Sequence, residues 1–407
     1  MLTSIRRKWG DAAQRPDRRP RRLCLGLENL EARVVLTSIA PIVIQVNTNT
    51  HLSHTDSDNA SSANGMSVVV WTDWYSSTDT DIRAQLYDSS RGPLGPEIIV
   101  DGSVEREGSP AVAMDNQGHF VVTWARTHAD GNADVMARKY DALGTSIGGI
   151  FAVANTSKSE YDPDVAMSAT GNFVVSYTLD FSASDQDIQA RQYLWNASVI
   201  PWHGTISVAT SGRNESRSSV ASAADGRFSI AYQLQYSSAD DDIRVNRYSA
   251  SGDLLGAHVV AASGDREQAP SLSMDDYGGA VVAYQRWAGG NVSIKAKRLT
   301  SSGSLGDEIN VSSGTTGATS PSVALRRKGG AFVVAYESGG VNFTEISATN
   351  TVIRTFYSDA EGYSPAISLD GLDRFLLTYT GPWVDPTTGE VDRYHPEIYG
   401  QKWELSH

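Results

Sequence analysis

The sequence predicts an all-β fold: a seven-bladed β-propeller of four-stranded antiparallel blades over residues 38–407. Three observations predict it. One repeat unit recurs seven times, each unit contains segments with strand periodicity, and the two ends of the chain together complete a single unit. A unit of four short strands that recurs along the chain is typical of a propeller blade.

The repeat is clearest where two copies are compared directly. Residues 109–124 read SPAVAMDNQGHFVVTW, and residues 162–177 read DPDVAMSATGNFVVSY. Each copy ends on an aromatic anchor residue, and the anchors are Trp71, Trp124, Tyr177, Tyr232, Tyr284, Tyr336 and Tyr379. Successive anchors are 53, 53, 55, 52, 52 and 43 residues apart, and a glycine stands six residues before the anchor in all copies except the last. This regular spacing indicates one structural unit per copy.

Each unit contains four segments with the period-two alternation of strands. In the second copy these are Pro110–Met114, Phe120–Trp124, Asp134–Tyr140 and Phe151–Ala154. The turn between the first two contains Asn116 and Gly118, residue types that tolerate positive φ. Two copies depart from this pattern, because the first strand of copy one is polar and the third strand of copy six lacks the usual arginine and tyrosine.

The ends of the chain predict how the ring closes. The last copy has only three strands, at Ser364–Leu369, Arg374–Tyr379 and Pro396–Trp403, whereas Pro41–Asn47 has the pattern of a fourth strand. We expect this early segment to complete the last blade, since pairing there removes an exposed sheet edge. The domain should then unfold as one unit.

Residues 1–37 form a basic leader that differs from the body. Residues 1–34 contain nine Lys or Arg and four acidic residues, which leaves a body with 25 basic and 43 acidic residues, a net charge of −18. Because so acidic a body repels phosphate backbones, we expect no nucleic-acid partner. The leader lacks the apolar core of a standard signal peptide, and no apolar run approaches the length of a membrane span. The only cysteine, Cys24, excludes an intrachain disulfide and any site built from several cysteines.

Two resemblances to known proteins add to these predictions. Leu30, Glu31, Arg33 and Leu36 follow an arginine-rich stretch, and they resemble the Leu-Glu-x-Arg-x-Leu-Leu targeting motif of planctomycete surface and secreted proteins. The repeat resembles the tandem repeats of exported bacterial proteins, with Gly-x-Phe-Val-Val-x-Trp followed by the sequence of Ile82–Asp88. These resemblances imply a propeller protein that is exported to the cell surface or beyond, and they imply no particular activity.

Acidic residues concentrate in the loops that join the second and third strands, which a propeller places on the same side as the inter-blade connections. The metal-ligand candidates are Asp79, Asp81, Asp130, Asp134, Asp185, Asp187, Asp240 and Asp242. Carboxylate oxygens are hard ligands that suit Ca²⁺, which is the only cofactor the sequence suggests. The alternative is that these residues are solvated and cap turns.

Aromatic residues outside the repeat pattern are the candidates for ligand binding. They lie in or near the second–third loops, and they are Trp74, Tyr75, Tyr236, Trp287 and Trp383. Aromatic rings beside carboxylates suit the stacking of sugars. The alternative interpretation is local packing.

The sequence contains no catalytic motif such as H-E-x-x-H, G-x-S-x-G or a P-loop. It therefore favours a non-enzymatic exported binding or scaffold protein that presents an acidic loop face to a cell-surface protein or glycan. One alternative is a carbohydrate hydrolase or lyase that uses acids of that face, such as Asp240 and Asp242. Another is a structural component of the cell envelope. The oligomeric state stays open.

Overall fold

The computed structural model describes residues 43–49, 52–90, 92–182, 184–196, 204–312, 317–357, 361–384, 388 and 391–405. They lie in one compact unit, Pro41–His407. The predicted leader, residues 1–37, and its targeting motif lie outside the described residues. In the described part of the chain all regular secondary structure is β-strand, and no helix there has the length and apolarity to cross a membrane.

The strands form seven four-stranded antiparallel blades, as predicted. Blade 1 contains β2 (Ser53–Ser61), β3 (Ser67–Trp74), β4 (Thr80–Tyr87) and β5 (Ile98–Asp101). Blade 2 contains β6 (Arg106–Met114), β7 (Phe120–Thr127), β8 (Ala133–Tyr140) and β9 (Ser146–Ala154). Blade 3 contains β10 (Glu160–Met167), β11 (Phe173–Ser182), β12 (Asp185–Tyr193) and β13 (Thr205–Ala209).

The remaining blades follow the same order. Blade 4 contains β14 (Glu215–Ser222), β15 (Phe228–Ser237), β16 (Asp240–Tyr248) and β17 (Leu254–Ala261). Blade 5 contains β18 (Arg266–Met274), β19 (Ala280–Ala288), β20 (Asn291–Leu299) and β21 (Ile309–Asn310). Blade 6 contains β22 (Thr319–Leu325), β23 (Phe332–Glu337), β24 (Val341–Ile346) and β25 (Val352–Phe356). Blade 7 contains β26 (Tyr363–Leu369), β27 (Arg374–Val384), β28 (Val391–Glu404) and β1 (Val43–Gln45).

The early strand β1 completes blade 7, as predicted from the two ends of the chain. It pairs antiparallel with β28, and Val43 lies opposite Gln401. The contact continues past the strand, because the backbone amide of Val46 donates to the carbonyl of Ile398 at 2.8 Å. The outer edge of β28 is therefore paired rather than exposed.

The first strand of every blade is innermost and contacts the first strands of both neighbouring blades, from β2 through β26 and back to β2. A separate hydrophobic cluster fills each of the seven interfaces between blades. The cluster that joins the last blade to the first includes Val46, Trp71, Leu376 and Ile398. Since full burial of one such side chain contributes roughly 1.5–3 kcal/mol, these clusters hold the ring together.

The repeated aromatic and glycine positions have the roles that the pattern predicts. All seven aromatic anchors are buried against neighbouring strands. The six glycines that precede them have φ between 88° and 100°, a conformation that side chains with a Cβ rarely adopt. Asp373 takes the same place in the seventh blade with φ 61°, which Asp tolerates better than most residues.

The loops between second and third strands meet the inter-blade connections on one side of the ring, as predicted. The start of β4 pairs in parallel with the start of β6 at Thr80 and Arg106. The start of β16 pairs in the same way with the start of β18 at Asp241 and Arg266. We call this side, which contains the predicted metal and aromatic candidates, the acidic face.

Candidate functional site

Every innermost strand has a bulge near its start, at the end that adjoins the acidic face. The pairing register with the second strand shifts at this point in all seven blades. One non-glycine residue per bulge has φ between 47° and 55°, and the seven are Asp56, Ser109, Asp162, Arg217, Ala269, Ser320 and Ser364. Left-handed non-glycine residues cost free energy and persist where the surrounding structure holds them. Bulges also redirect side chains.

The seven bulges together line the mouth of the central channel. Five of the left-handed residues precede a proline, whereas Ser57 and Ser218 follow Asp56 and Arg217 in blades 1 and 4. Residues of all seven bulges surround a cavity of about 390 Å³. We call this cavity the channel mouth.

Three charged side chains belong to this ring of bulges: Asp56 of blade 1, Asp162 of blade 3 and Arg217 of blade 4. Burial raises the pKa of Asp162, an effect that Arg217 opposes and the charge of Asp56 reinforces. Burial also raises the pKa of Asp56, which a hydrogen bond from Thr55 and the charge of Arg106 oppose. The carboxyl group of Asp162 and the guanidinium of Arg217 thus line one concave site, and the charge of Asp56, next to the lining residue Ser57, acts on Asp162. Perturbed carboxyl groups in a cleft are typical of functional sites.

Below the mouth, side chains of the innermost strands bind the backbone of the next blade. The carboxylate of Asp58 accepts from the amide of Val112, and that of Asp164 accepts from the amide of Val220, each at 2.8 Å. Serine hydroxyls do the same in the three following interfaces, with Ser219, Ser271 and Ser322 as acceptors. Asp162 and Asp164 both lie inside β10.

At four of the blade junctions on the acidic face, a carboxylate of one blade's third strand lies beside a buried glutamate of the next blade's first strand. The pairs are Asp81 with Glu107, Asp134 with Glu160, Asp187 with Glu215, and Asp242 with Glu267. Sequence analysis missed Glu160 and Glu215. A sequence signal could have found them, because each of the four glutamates accepts a hydrogen bond from a Ser or Thr hydroxyl four residues earlier. These residues are Ser103, Thr156, Ser211 and Ser263.

The predicted metal candidates are therefore divided among four junctions. Asp81 is buried and accepts from the guanidinium of Arg83 at 3.3 Å, while Asp79 stays in the adjoining loop. Asp134 faces Nε2 of His128 at 3.0 Å, and the carboxylate of Asp130 caps the amide of Asn132 at the surface. Protein side chains thus already engage the carboxylates of Asp81 and Asp134.

The pair Asp240 and Asp242, suggested as hydrolytic acids, lies at the start of β16. Asp242 is buried and accepts from Arg244 at 2.9 Å. Asp240 lies opposite Ser237 across the loop. Because Asp242 is already ion-paired with Arg244, the carboxyl groups at the channel mouth are better candidates for catalytic acids than Asp240 and Asp242.

The structure brings together Asp185, Asp187 and a third acid that sequence analysis missed, Glu215. One carboxylate oxygen from each lies within 4.8 Å of the others. Burial raises the pKa of Asp187, and the nearby charge of Asp185 raises it further, whereas Lys158 lowers it. Burial and the charges of both aspartates raise the pKa of Glu215, against the hydrogen bonds from Ser211. This arrangement could hold a metal ion.

The predicted aromatic candidates all lie at the acidic-face ends of second strands or in the loops that follow. The hydroxyls of Tyr75 and Tyr236 accept from Arg83 at 2.6 Å and from Arg244 at 2.7 Å, so blades 1 and 4 repeat one tyrosine–arginine contact. These two rings and that of Trp287 are 40–45% exposed. The indole of Trp74 donates to Thr55 at 2.8 Å and lies under the guanidinium of Arg106.

Trp383 lies near the end of β27 and is half-buried. The five aromatic residues thus share one side of the ring. The guanidinium of Arg213 lies 4.6 Å from the centre of the Tyr236 ring, so Tyr75 and Trp287 offer the most free ring surface.

Comparison with known proteins supports the fold. No protein-family profile matches the chain, and no curated protein matches it. Similar solved structures include a protein of unknown function from Dyadobacter fermentans DSM 18053, with TM-score 0.52 and 12% identity, covering 89% of this chain and 98% of that one. The polysaccharide lyase Uly1 has TM-score 0.51 and 12% identity, covering 88% and 91%. A PL25 ulvan lyase has TM-score 0.53 and 10% identity, covering 87% and 95%.

At these identities the likeness establishes the propeller architecture and leaves the activity to be argued from the site itself. Sugar-active proteins, including these lyases, are among the proteins that share the architecture.

Proposed function

We propose that this protein is an exported carbohydrate-active protein that cleaves a polysaccharide by hydrolysis at the channel mouth. One observation carries the proposal: the bulges of blades 3 and 4 place Asp162 and Arg217 in the lining of one cavity. The bulge of blade 1 places Asp56, whose charge acts on Asp162, next to the lining residue Ser57. This favours the enzymatic alternative of the sequence analysis over its main prediction. The fold is compatible with polysaccharide cleavage in general, since it also occurs in polysaccharide lyases, which cleave by elimination.

The two carboxyl groups would have different roles. Because Asp162 lines the mouth beside Arg217, we assign it as the general base that takes a proton from the attacking water. Asp56 would then donate its proton to the glycosidic oxygen as the carbon–oxygen bond breaks and water oxygen bonds to the anomeric carbon.

The charge of the body argues for the class of substrate. Outside residues 1–34 the chain has a net charge of −18, which repels strongly anionic polymers. A neutral polysaccharide avoids this repulsion. It also lacks the uronate group whose α-proton a lyase removes, and this is why we propose hydrolysis rather than elimination.

The test is a screen of neutral and uronate-containing polysaccharides with the full chain. Hydrolysis releases new reducing ends without the ultraviolet absorbance of an unsaturated sugar, whereas elimination produces both. We expect Asp162→Asn and Asp56→Asn each to lower turnover at least about 100-fold. Asp225→Asn is the matched control, because Asp225 pairs with Arg227 in a turn at the opposite end of the strands. Cleavage that survives in both channel-mouth variants would contradict the assignment.

A second candidate function is glycan or protein binding without turnover, as a surface receptor, scaffold or envelope component. The rings of Tyr75 and Trp287, which are 45% and 41% exposed, favour it, because free aromatic faces suit sugar stacking. The same screen separates the two functions. A pure binding protein would retain a polysaccharide without releasing reducing ends, and it would lose affinity in Trp287→Ala rather than in Asp162→Asn.

We also propose that the protein is exported and that the acidic face binds Ca²⁺. Export would depend on the leader motif around Leu30 and Arg33, so the protein should appear in the cell-surface or medium fraction, and Arg33→Glu should retain it in the cell. Calcium is the cation that carboxylate oxygens suit best here, since the described body lacks cysteine ligands.

A further inference from the structure

Four blade junctions share one carboxylate pair, and this repetition supplies an internal comparison. At the junction of blades 1 and 2, Arg83 binds Asp81 at 3.3 Å and Arg126 lies 3.5 Å from Glu107. At the junction of blades 4 and 5, Arg244 binds Asp242 at 2.9 Å. There Arg286 lies 3.7 Å from Glu267. Both junctions thus place one arginine on each carboxylate.

The junction of blades 3 and 4 has the same carboxylates and lacks these arginines. Gln189 occupies the position of Arg83 and Arg244, opposite the aromatic anchor of its blade. Leu234 occupies the position of Arg126 and Arg286, two residues after the anchor. Within the described ranges no Lys, Arg or His nitrogen lies within 4.0 Å of the carboxylates of Asp185, Asp187 or Glu215.

This junction has a third carboxylate, Asp185, at the position that Asp240 holds at the junction of blades 4 and 5. In contrast to Asp242 there, which Arg244 binds, Asp187 has no partner among the described residues. Asp187 is only 7% exposed, and its carboxylate makes no hydrogen bond or ion pair with any described residue. Oδ1 of Asp185 is buried and likewise has no hydrogen-bond partner in the described part of the chain. Buried carboxylates without partners are costly, and both face the same small space beside Glu215.

The nearest lysine, Lys158, does not replace the missing arginines as a partner of these carboxylates. The ammonium of Lys158 donates to the carbonyl of Phe181 and lies 4.1 Å from the centre of that ring. Its charge reaches Asp187 only at longer range. A protein cation therefore neutralises the other junctions, and none does so here.

We infer that Asp185, Asp187 and Glu215 form a Ca²⁺ site that joins blades 3 and 4, in the place where arginines join the other blades. The ligand spacing fits this ion. Oxygens bound to Ca²⁺ at about 2.3–2.6 Å can lie up to about 5 Å apart across the ion, whereas Mg²⁺ at about 2.0–2.1 Å limits them to about 4 Å. The three oxygens here lie within 4.8 Å of one another, a separation that one Ca²⁺ ion can span.

The site goes beyond the proposed hydrolysis, and calcium alone is the probe that tests it. We expect calorimetric titration of the chelator-treated full chain to give one ion per chain, and CaCl₂ to raise Tm by a few degrees over EDTA. Asp187→Asn should abolish this shift. It should also raise Tm in EDTA, because it removes like-charge repulsion. Asp185→Asn, at a less buried position, should abolish the shift as well.

Asp134→Asn is the matched control, because Asp134 is the equivalent carboxylate at the junction of blades 2 and 3 and already faces His128. This variant should keep the full calcium shift, whatever its Tm in EDTA. The inference is overturned if the wild-type chain binds no calcium in the titration. It is equally overturned if the Asp187→Asn and Asp185→Asn variants keep the shift while Asp134→Asn loses it.

Discussion

The carboxylate of Asp58 in blade 1 accepts a hydrogen bond of 2.8 Å from the backbone amide of Val112 in blade 2. Asp164 repeats this contact, from blade 3 to Val220 of blade 4. Serine performs the same task in blades 4, 5 and 6. The innermost strand of a blade exposes unpaired amides toward the channel, and an unsatisfied buried amide is costly. These contacts thus explain how the ring's inner edge is stabilised.

Replacing Asp58 with serine should make the protein more stable at alkaline pH. Burial raises the pKa of Asp58 from 3.8 to about 7, so between these values the native state binds more protons than the unfolded state. Stability from this group therefore falls as pH rises from about 4 to about 7. Asp58→Ser keeps an acceptor for Val112 and removes the charge. Thermal unfolding should show a Tm gain of a few degrees at pH 8 and no gain at pH 4.

Ser271→Ala is the control for that experiment, because it removes the equivalent acceptor for Val323 without changing a titratable group. It should cost about 1–2 kcal/mol at both pH values. A higher Tm of the Ser271→Ala variant at pH 8, or equal changes in Tm of Asp58→Ser at both pH values, would disprove the explanation.

Asn47→Ala should weaken the closure of the ring. Oδ1 of Asn47 accepts from the buried amide of Ile398 at 2.9 Å, just beyond the pairing of β1 with β28. Loss of this acceptor leaves a buried amide unsatisfied, which costs about 1–3 kcal/mol. Chemical denaturation should show a lower midpoint and still a single transition, since all blades share one ring. Tyr394→Ala, at an 89% exposed position, should change nothing; two separate transitions would contradict a closed ring.

His54→Asn should destabilise the protein more at pH 6 than at pH 9. Burial lowers the pKa of His54, but the hydrogen bond and charge of Asp73, at 2.6 Å, and the charge of Glu397 raise it above 6.5 overall. A raised histidine pKa contributes stability that is complete below the unfolded value and is lost as pH rises through the folded value. Equilibrium unfolding at the two pH values measures the difference. His395→Gln, at an exposed position, is the control, and an equal cost of His54→Asn at both pH values would refute a charged His54.

Arg217→Gln should move the acidic limb of the pH–activity profile to higher pH. Arg217 lowers the pKa of Asp162, so its loss makes the proposed base harder to ionise. Profiles of kcat/KM against pH for the polysaccharide found in the screen would measure this shift. Lys328→Gln removes the same charge from an exposed site at the opposite end of the channel and should leave the limb in place. An unchanged limb in Arg217→Gln would remove Asp162 from the role of base.

The repeat made the blades predictable, because strand alternation, the positive-φ glycine and the aromatic anchor are each local signals. Closure was predictable for the same reason, since β1 carries the pattern of a fourth strand. The polar first strand of blade 1 was visible but not explained. Its Asn59 donates to the carbonyl of Ala366 at 2.9 Å and to Thr378 at 2.8 Å, so its polarity joins it to blade 7.

The candidate site was harder to predict, because it depends on which blades face one another. Five of the bulges contain a proline that was visible in the sequence. In the other two, a serine follows the left-handed residue, as Ser57 follows Asp56 and Ser218 follows Arg217. Two of the three charged bulge residues therefore lack the proline signal. Glu215 was missed because its partners Asp185 and Asp187 belong to the preceding blade. Distances across a blade interface do not follow from spacing along one chain.

The most direct test of the proposed hydrolysis is a crystal structure of the full chain with an oligosaccharide of the polysaccharide that the screen identifies, bound to the Asp162→Asn variant. We predict sugar density in the channel mouth, with one glycosidic oxygen within hydrogen-bonding distance of Asp56 and a sugar ring beside Arg217. Density confined to the exposed rings of Tyr75, Tyr236 or Trp287, with an empty mouth, would contradict hydrolysis at this site.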